Sequence, residues 1–238
     1  MRTIVVTDPP RADAEVATAL GAHGVATVHE ALGRIGYLGP AFRPAWPGAR
    51  IGGTAVTALC WPGDNLMIHV AVEQCGPGDI LVVATNSTSD DGLFGELFAT
   101  ALRHRGALGV VVAGGVRDVA DLRDARFPAW SRAVSAQGTV KATPGAVNVP
   151  VVLGGQSIHP GDVIVCDDDG VVRVPRAAAP AALAAARARA EKEEATRAAF
   201  LGGELGLDRY GLRDRLAQLG IEYVSHADYQ RERPDDQS

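Results

Sequence analysis

The stretch DDGLFGELFATALRHRGALGVVVAGGVRD, residues 90–118, combines the pattern of a helix with that of a buried strand. With the apolar run ILVVAT at 80–85 before it, it predicts a strand, a helix from about residue 92 to 105, and a second strand at 108–113. A crossover of this kind is right-handed and places its two strands side by side and parallel. The sequence therefore predicts an α/β fold.

The flanking segments predict further strands and a helix at each end of the chain. Apolar residues at helical spacing predict an N-terminal helical pair at 12–20 and 27–34. Other segments predict a strand at 53–60, a helix at 65–75, and short strands around 127–132, 149–153 and 171–174. From residue 176 to 200 the pattern is Ala-rich and helical, with few large apolar side chains. We therefore expect one domain over residues 1–238, with a C-terminal helical extension at 176–238 that contacts a neighbouring subunit or caps an edge, and that ends in a solvated tail at 231–238.

Composition excludes several classes of protein. The chain has 238 residues, of which 47% are hydrophobic, and a formal net charge of −5. Because no cluster of Lys and Arg stands out, nucleic acid is not an expected partner. No apolar run approaches the roughly 20 residues of a membrane helix, so we expect no membrane association and a cytoplasmic location. The three cysteines are far apart in the sequence, which argues against a disulfide framework or a zinc cluster.

Charged residues flank both ends of the predicted helix–strand unit. Glu96 lies in the first helical turn, whose unpaired backbone N–H groups favour an anion. After 20 intervening residues, a predicted turn at Gly114 and Gly115 leads to Arg117 and Asp118. A guanidinium can neutralise an oxyanion and a carboxylate can hold a divalent cation. On pattern alone an alternative stays open, in which Glu96 only complements the helix dipole and Arg117 only pairs with a neighbouring aspartate.

The same residues resemble a known signature. GELFATALRHRGALGVVVAGGVRD, residues 95–118, is similar to the acidic-x20-Arg-Asp motif of the class II pyruvate aldolases related to the regulator of ribonuclease E activity. The segments GDNLMIH at 63–69 and GELGLDRYG at 203–211 resemble one branch, the 4-carboxy-4-hydroxy-2-oxoadipate or 4-hydroxy-4-methyl-2-oxoglutarate aldolases. The resemblance implies an αββα layered fold, trimers paired into homohexamers, a Mg²⁺ or Mn²⁺ cofactor, and an active site shared between subunits.

The resemblance also implies a reaction. These carbon–carbon lyases cleave a 4-hydroxy-2-oxo di- or tricarboxylic acid, such as 4-carboxy-4-hydroxy-2-oxoadipate, to pyruvate and a second 2-oxo acid in the catabolism of aromatic compounds. They also decarboxylate oxaloacetate. Both reactions pass through a pyruvate enolate, whose charge a divalent cation and a charge-assisted hydrogen bond stabilise. A small 2-oxo acid is therefore the expected partner of the site.

Individual roles are transferred only to matching positions. Asp118 matches the metal-holding aspartate and Arg117 the pyruvate-binding arginine. Glu96 matches the acidic residue that acts on the metal through water. The helix start that binds a substrate carboxylate is matched by Gly95, Leu97 and Phe98. Polar positions near the substrate are matched by Asn65 and His69. An acid that reaches the metal through water from the adjacent subunit is matched by Glu193, and Glu194 also fits this position. A water oriented by Glu193 or Asn65 is the expected base for the substrate hydroxyl.

Three alternatives compete with this assignment. A lysine imine would need Lys141 or Lys192, but Lys192 lies in a densely charged helical run and nothing in the sequence activates Lys141. A non-catalytic regulator of the same fold is the second alternative, and a related lyase for a specialised metabolite is the third. The acidic run Asp167–Asp169 is interpreted as a solvated turn rather than a metal site.

Overall fold

The structure, a computed structural model, describes residues 3–232 of the 238 and contains two compact units, one ending at Ala190 and the other beginning at Glu191. Most of the predicted tail at 231–238 lies outside the described residues. The helices are α1 Ala14–His23, α2 Val25–Ala31, α3 Leu66–Gln74, α4 Glu96–His104, α5 Val119–Asp124, α6 Ala179–Leu201, α7 Gly206–Arg209, α8 Leu212–Gln218 and α9 His226–Glu232. The strands are β1 Arg43–Pro44, β2 Ile51–Cys60, β3 Asp79–Thr85, β4 Gly92–Phe94, β5 Gly109–Val116, β6 Ala129–Val134, β7 Ala146–Val147, β8 Val151–Leu153, β9 Gln156–Ile158, β10 Val163–Asp167 and β11 Gly170–Val174.

One mixed sheet organises the first unit. Its strand order is β1-β6-β5-β3-β2-β10-β11, with β4 attached to β5 and β7 attached to β2. Strands β2, β3, β5 and β6 are mutually parallel, whereas β10 runs antiparallel to both β2 and β11. The sheet is nearly closed and barrel-like. The predicted α/β class is therefore confirmed.

The predicted crossover is present, with two corrections. Strands β3 and β5 are parallel neighbours and α4 lies between them in the chain. The helix does not start near residue 92, because Gly92–Phe94 pairs with β5 as strand β4. Gly114 and Gly115 belong to β5 and do not form a turn. A Cβ atom on Gly115 would lie 2.4 Å from the Asp90 carbonyl oxygen, so glycine is needed there for close approach of two chain segments.

Three apolar clusters hold the first unit together. Helices α3, α4 and α5 cover one face of the sheet, where Ile68, Leu102 and Leu122 are buried. Helices α1 and α2 cover β10 and β11, so the predicted N-terminal helical pair is confirmed. Gly21 of α1 and Gly52 of β2 pack backbone to backbone, since a Cβ on Gly21 would lie 2.4 Å from the Gly52 nitrogen.

The second unit is helical and exposes much of its apolar surface. It contains the last part of α6 together with α7, α8 and α9. The Phe200 and Tyr210 rings are 6.3 Å apart in an edge-on contact, and Arg209 Nη1 donates to Glu204 Oε2 over 2.9 Å. The single-domain assignment and the contact with a neighbouring subunit stay predictions. Between residues 3 and 232, none of the helices has both the length and the hydrophobicity of a bilayer-spanning segment.

Candidate active site

A pocket of about 290 Å³ opens where the carboxyl end of β5 meets the start of α4. Its size is close to the lower end of the range for small-molecule sites. Helix α3 supplies a second wall, and the chain from Gly138 to Lys141 supplies a third. Predicted site residues that line the pocket are Asn65, His69, Gly95, Leu97, Phe98, Arg117 and Asp118. The fold thus brings together side chains up to 53 positions apart in the sequence, from Asn65 to Asp118.

Arg117 and Asp118 follow β5 directly. The Arg117 backbone N–H donates to the Phe94 carbonyl over 2.9 Å, which ties the end of β5 to the chain before α4. Asp118 has a φ of 56°, a left-handed conformation that costs a non-glycine residue about 1–2 kcal/mol. This conformation brings the Asp118 carboxylate to the start of α4, where Oδ2 accepts from the Glu96 N–H over 3.2 Å.

The two charged side chains also contact each other. Arg117 Nε lies 3.4 Å from Asp118 Oδ2, and the two side chains are 46% and 34% exposed. An ion pair with this exposure contributes little to stability, at most about 1 kcal/mol. The contact matches the alternative interpretation, in which Arg117 pairs with a neighbouring aspartate, but both residues also line the pocket.

The start of α4 presents unpaired backbone N–H groups to the pocket. The first hydrogen bond that closes a helical turn joins the Ala99 N–H to the Gly95 carbonyl over 3.2 Å. The N–H groups of Leu97 and Phe98 precede that bond, so they have no carbonyl acceptor within the helix and are available to a ligand. Glu96 Oε1 accepts from the Thr100 hydroxyl over 2.7 Å, which keeps the Glu96 side chain along the helix.

Asn65 and His69 form the opposite wall, one turn apart on α3. Asn65 is 7% exposed, its Nδ2 donates to the Leu93 carbonyl over 3.3 Å, and its buried Oδ1 has no partner among the described residues. The His69 ring lies 4.5 Å from the Phe98 ring. Burial lowers the pKa of His69, and the positive charge of Lys141 lowers it further. The imidazole is therefore favoured in its neutral form.

Lys141 is the residue that sequence reasoning left without a role. It lines the pocket and lies close enough to His69 to act on its pKa. Its segment, GTVKAT at 138–143, contains a single lysine among small and polar residues, and this was the only feature of the sequence that could have indicated a site residue there. That signal was weak because the segment reaches the pocket only through long-range contacts with α3.

The donor set fits a hard divalent cation. Both hydrogen bonds to the Asp118 carboxylate end on Oδ2, which leaves Oδ1 for a cation. Glu96, in the first turn of α4, is not among the residues that line the pocket, and its Oε1 accepts from Thr100, so its place near a cation stays a prediction. Residues 3–232 contain no group of three or more His, Cys, Asp or Glu side chains that could hold a metal, so a closed zinc site is not present in that range. One or two carboxylates with several waters are the usual environment of Mg²⁺.

The chain contains two other acidic regions. Glu193 and Glu194 belong to the second unit, and their role at a metal stays a prediction. The Asp167–Asp169 run borders a separate cavity of about 250 Å³. The prediction of a solvated turn was wrong for Asp167, which is 6% exposed and accepts from the Val25 N–H at the start of α2 over 2.8 Å.

Comparison with known proteins assigns the chain to a family. The sequence profile of the RraA-like family, described as Aldolase/RraA, matches residues 25–173. The chain is 36% identical over 142 residues to a Burkholderia multivorans protein, covering 60% of this chain and 86% of that protein. It is 28% identical over 131 residues to a Halalkalibacterium halodurans protein, covering 55% of this chain and 62% of that protein, which is less than two thirds of its length. Both are named "Putative 4-hydroxy-4-methyl-2-oxoglutarate aldolase".

Solved structures show the same fold. RraAS2 of Streptomyces coelicolor, described as an unusual member of the RNase ES inhibitor RraA protein family, superposes with a TM-score of 0.72 at 29% identity, covering 80% of this chain and 99% of that one. An uncharacterised Pseudomonas syringae protein gives a TM-score of 0.72 at 28% identity, covering 83% and 97%. The matched profile includes β5, Arg117 and Asp118. The chain therefore belongs to the RraA-like, Aldolase/RraA family.

Proposed function

We propose that the protein is a divalent-metal-dependent pyruvate aldolase that cleaves a 4-hydroxy-2-oxo di- or tricarboxylic acid to pyruvate and a second 2-oxo acid. The observation that carries this proposal is the meeting of Arg117, Asp118 and the start of α4 in one pocket. A guanidinium, a carboxylate and free backbone N–H groups are the parts needed to bind a 2-oxo acid and stabilise its enolate. The aldolase names of the two relatives support the same class of reaction.

The chain's own residues bind the pyruvyl half of the substrate. The N–H groups of Leu97 and Phe98 bind the C1 carboxylate at the positive end of the α4 dipole. Arg117 donates to the C2 oxygen, which gains negative charge as the bond between C3 and C4 breaks. A Mg²⁺ or Mn²⁺ ion held by Asp118, with Glu96 and Glu193 as acidic partners through water, would add positive charge at the same enolate.

Asn65 recognises the hydroxyl that must lose its proton. Asn65 lines the pocket, its Nδ2 donates one of its two hydrogens to the Leu93 carbonyl, and its buried acceptor Oδ1 has no partner among the described residues. A buried acceptor of this kind favours a ligand O–H group, such as the C4 hydroxyl of the substrate. The proton passes to a water that Asn65 or Glu193 orients, and the electrons of the C3–C4 bond pass to the C2 oxygen.

Oxaloacetate decarboxylation follows from the same site. Loss of carbon dioxide from oxaloacetate leaves the same pyruvate enolate, so Arg117 serves both reactions. Lys141, across the pocket, is suited to bind the carboxylate at the far end of a dicarboxylic substrate. In the metal-dependent proposal Lys141 therefore only binds a carboxylate. In imine chemistry its amine would instead attack C2 of the substrate.

A coupled assay for pyruvate tests the proposal. Purified protein should release pyruvate from 4-carboxy-4-hydroxy-2-oxoadipate and from oxaloacetate, EDTA should abolish the release, and Mg²⁺ or Mn²⁺ should restore it. Arg117→Ala should lower the rate by about 100- to 1000-fold, the usual cost of removing one oxyanion donor. Release that survives full chelation, together with borohydride trapping of pyruvate on Lys141, would favour the imine alternative instead.

The likeness to RraAS2 supports a second candidate, a non-catalytic regulator that binds a protein partner. The pocket geometry does not require catalysis, because an anion site alone can bind a small effector. Protein that is inert toward oxaloacetate with every divalent metal tested would favour this candidate. The assembly into homohexamers and the cytoplasmic location belong to the aldolase proposal and are tested with it by light scattering and cell fractionation.

A further inference from the structure

The chain between Thr139 and Thr143 crosses the pocket beside the start of α3. The Asn65 N–H donates to the Val140 carbonyl over 3.0 Å, and the Val140 N–H donates to the Gly63 carbonyl over 2.9 Å. Thr139 and Lys141, on either side of Val140, line the pocket. We call residues 139–143 the Lys141 segment. Its position determines where the Lys141 ammonium group lies.

One buried carboxylate joins this segment to α3. Asp64 is 2% exposed. Its Oδ2 accepts from the N–H groups of Ala142 and Thr143 over 2.9 Å and 2.6 Å, while its Oδ1 accepts from the Leu66 N–H over 2.9 Å. Burial raises the pKa of the Asp64 carboxyl, but the three N–H donors and the Thr143 side chain together outweigh burial and lower the pKa below its ordinary value. The ionised carboxylate is therefore favoured.

These contacts exceed what the turn before α3 requires. The N-cap of α3 is Asn65, and the bond from the Leu66 N–H to Oδ1 of Asp64 is enough to close the Asx-type turn that leads into the helix. Oδ2 is used entirely by a segment 78 and 79 residues away in the sequence. Charge-assisted bonds to two successive N–H groups fix both the distance and the direction of that backbone.

We propose that Asp64 is a positioning residue that holds the Lys141 segment against α3, so that Lys141 binds the substrate carboxylate farthest from C1. The inference rests on the proposed function and extends it to the choice of substrate. Asp64 itself lies beneath the segment and acts through Lys141. Its loss should therefore impair dicarboxylic substrates while leaving the chemistry of the pyruvyl half intact.

The variant Asp64→Asn is the direct test. It replaces one acceptor oxygen with an NH₂ group and so removes an acceptor from the donors of the Lys141 segment. The KM for 4-carboxy-4-hydroxy-2-oxoadipate should rise about tenfold, the usual effect of losing one charge-assisted contact, with kcat within about twofold of the wild type. Exchange of the pyruvate methyl protons for deuterium, followed by NMR, should be unchanged because pyruvate has no second carboxylate.

A measurement that does not depend on activity tests whether Asp64 holds the Lys141 segment in place. Amide hydrogen exchange of the peptide spanning residues 138–147, measured by mass spectrometry, should become faster in Asp64→Asn. Asp162→Asn is the control, because Asp162 is also buried and accepts from two backbone N–H groups, those of His159 and Arg176, outside the pocket; Asp162 also pairs with Arg173, so the control removes at least as many contacts as Asp64→Asn does. The control should change neither this exchange nor the KM. Asp64→Glu, which keeps the charge and both oxygens, replaces Asp64→Asn if that variant does not fold.

Lys141→Ala completes a double-mutant cycle. It should raise the KM as much as Asp64→Asn does, and the double variant should add little to either single change. Additive effects, a slower pyruvate proton exchange, or unchanged amide exchange in the 138–147 peptide would each overturn the inference. Absence of pyruvate formation by the wild-type protein would instead refute the proposed function, while amide exchange would still decide whether Asp64 holds the segment.

Discussion

Among single residues, the candidate site contains polar atoms that lack some of their hydrogen-bond partners in the described part of the chain. Asn65 has a buried Oδ1 without a partner in residues 3–232, and Asp118 uses one carboxylate oxygen for two contacts. A buried polar atom without a partner costs about 1–3 kcal/mol. Such atoms are expected where a ligand supplies the missing contact.

Asn65→Ala should therefore lower kcat/KM for the 4-hydroxy substrate by about 10- to 100-fold, because the ligand hydroxyl loses its acceptor. Pyruvate proton exchange should change little, because pyruvate has no hydroxyl to bind. Asn148 also carries a buried, unpartnered Oδ1, but its Nδ2 donates to the Val6 carbonyl and the residue lies outside the pocket. Asn148→Gly, which tolerates the local φ of 55°, is the control and should leave these kinetics unchanged. Equal losses in both variants would contradict the role of Asn65.

His69 should titrate below about 6.5, the ordinary pKa of a histidine. Burial and the charge of Lys141 both disfavour its protonated form in the folded state. The unfolded chain therefore takes up this proton first as the pH falls, and the folded state loses stability from about pH 6.5 down to the folded pKa. A ¹⁵N-NMR titration of the imidazole should give the lowered midpoint, and Lys141→Ala should raise it. A midpoint at or above 6.5 in the wild type would contradict the expected effect of burial and of Lys141 on the pKa of His69.

Among the secondary-structure elements, the residues after β5 pack closely against the start of α4 because the residue before the helix, Gly95, has no side chain. Gly95 has an extended backbone, with a φ of −155°, so its conformation does not require glycine. The space around it does, because a Cβ atom there would lie 2.4 Å from Asp118 Oδ2 and 3.0 Å from Arg117 Cγ. The absence of a side chain allows the carboxylate to reach the Glu96 N–H.

Gly95→Ala should displace the Asp118 carboxylate while leaving the fold intact, because the clash is with the mobile end of a side chain. We expect at least a tenfold loss of activity and weaker activation by Mn²⁺, with little change in the thermal unfolding midpoint. Gly76→Ala is the control, since the nearest atom to its Cβ is 3.8 Å away. Full activity in Gly95→Ala would show that the Asp118 position is not critical.

At the scale of the whole molecule, the pocket belongs to the first unit and Glu193 to the second. The aldolase proposal assigns Glu193 to the site of a neighbouring subunit. A symmetric oligomer repeats such a shared site at every equivalent interface. The assignment can therefore be tested by mixing inactive subunits.

Arg117→Ala and Glu193→Ala subunits should each be nearly inactive alone and regain activity when they assemble together. Random mixing should restore about a quarter of the sites, because each restored site needs an intact Arg117 from one subunit and an intact Glu193 from its neighbour. Pyruvate formation by co-expressed, differently tagged subunits measures this. Glu194→Ala, tested in the same way, decides which of the two neighbouring acids is used. Lack of complementation with either variant would place the whole site within one subunit.

The β3–α4–β5 unit and the candidate pair Arg117 and Asp118 could be predicted from the sequence, because both follow from local periodicity and from spacing along one crossover. The folded structure was needed to show that Gly92–Phe94 is a strand, that Gly114 and Gly115 lie within β5, and that Asp64 hydrogen-bonds to the segment of Lys141, which lines the pocket. Each of these depends on contacts between segments far apart in the chain. Such contacts form when the sheet and its covering helices pack, so the residues that make them leave no periodic signal in the sequence.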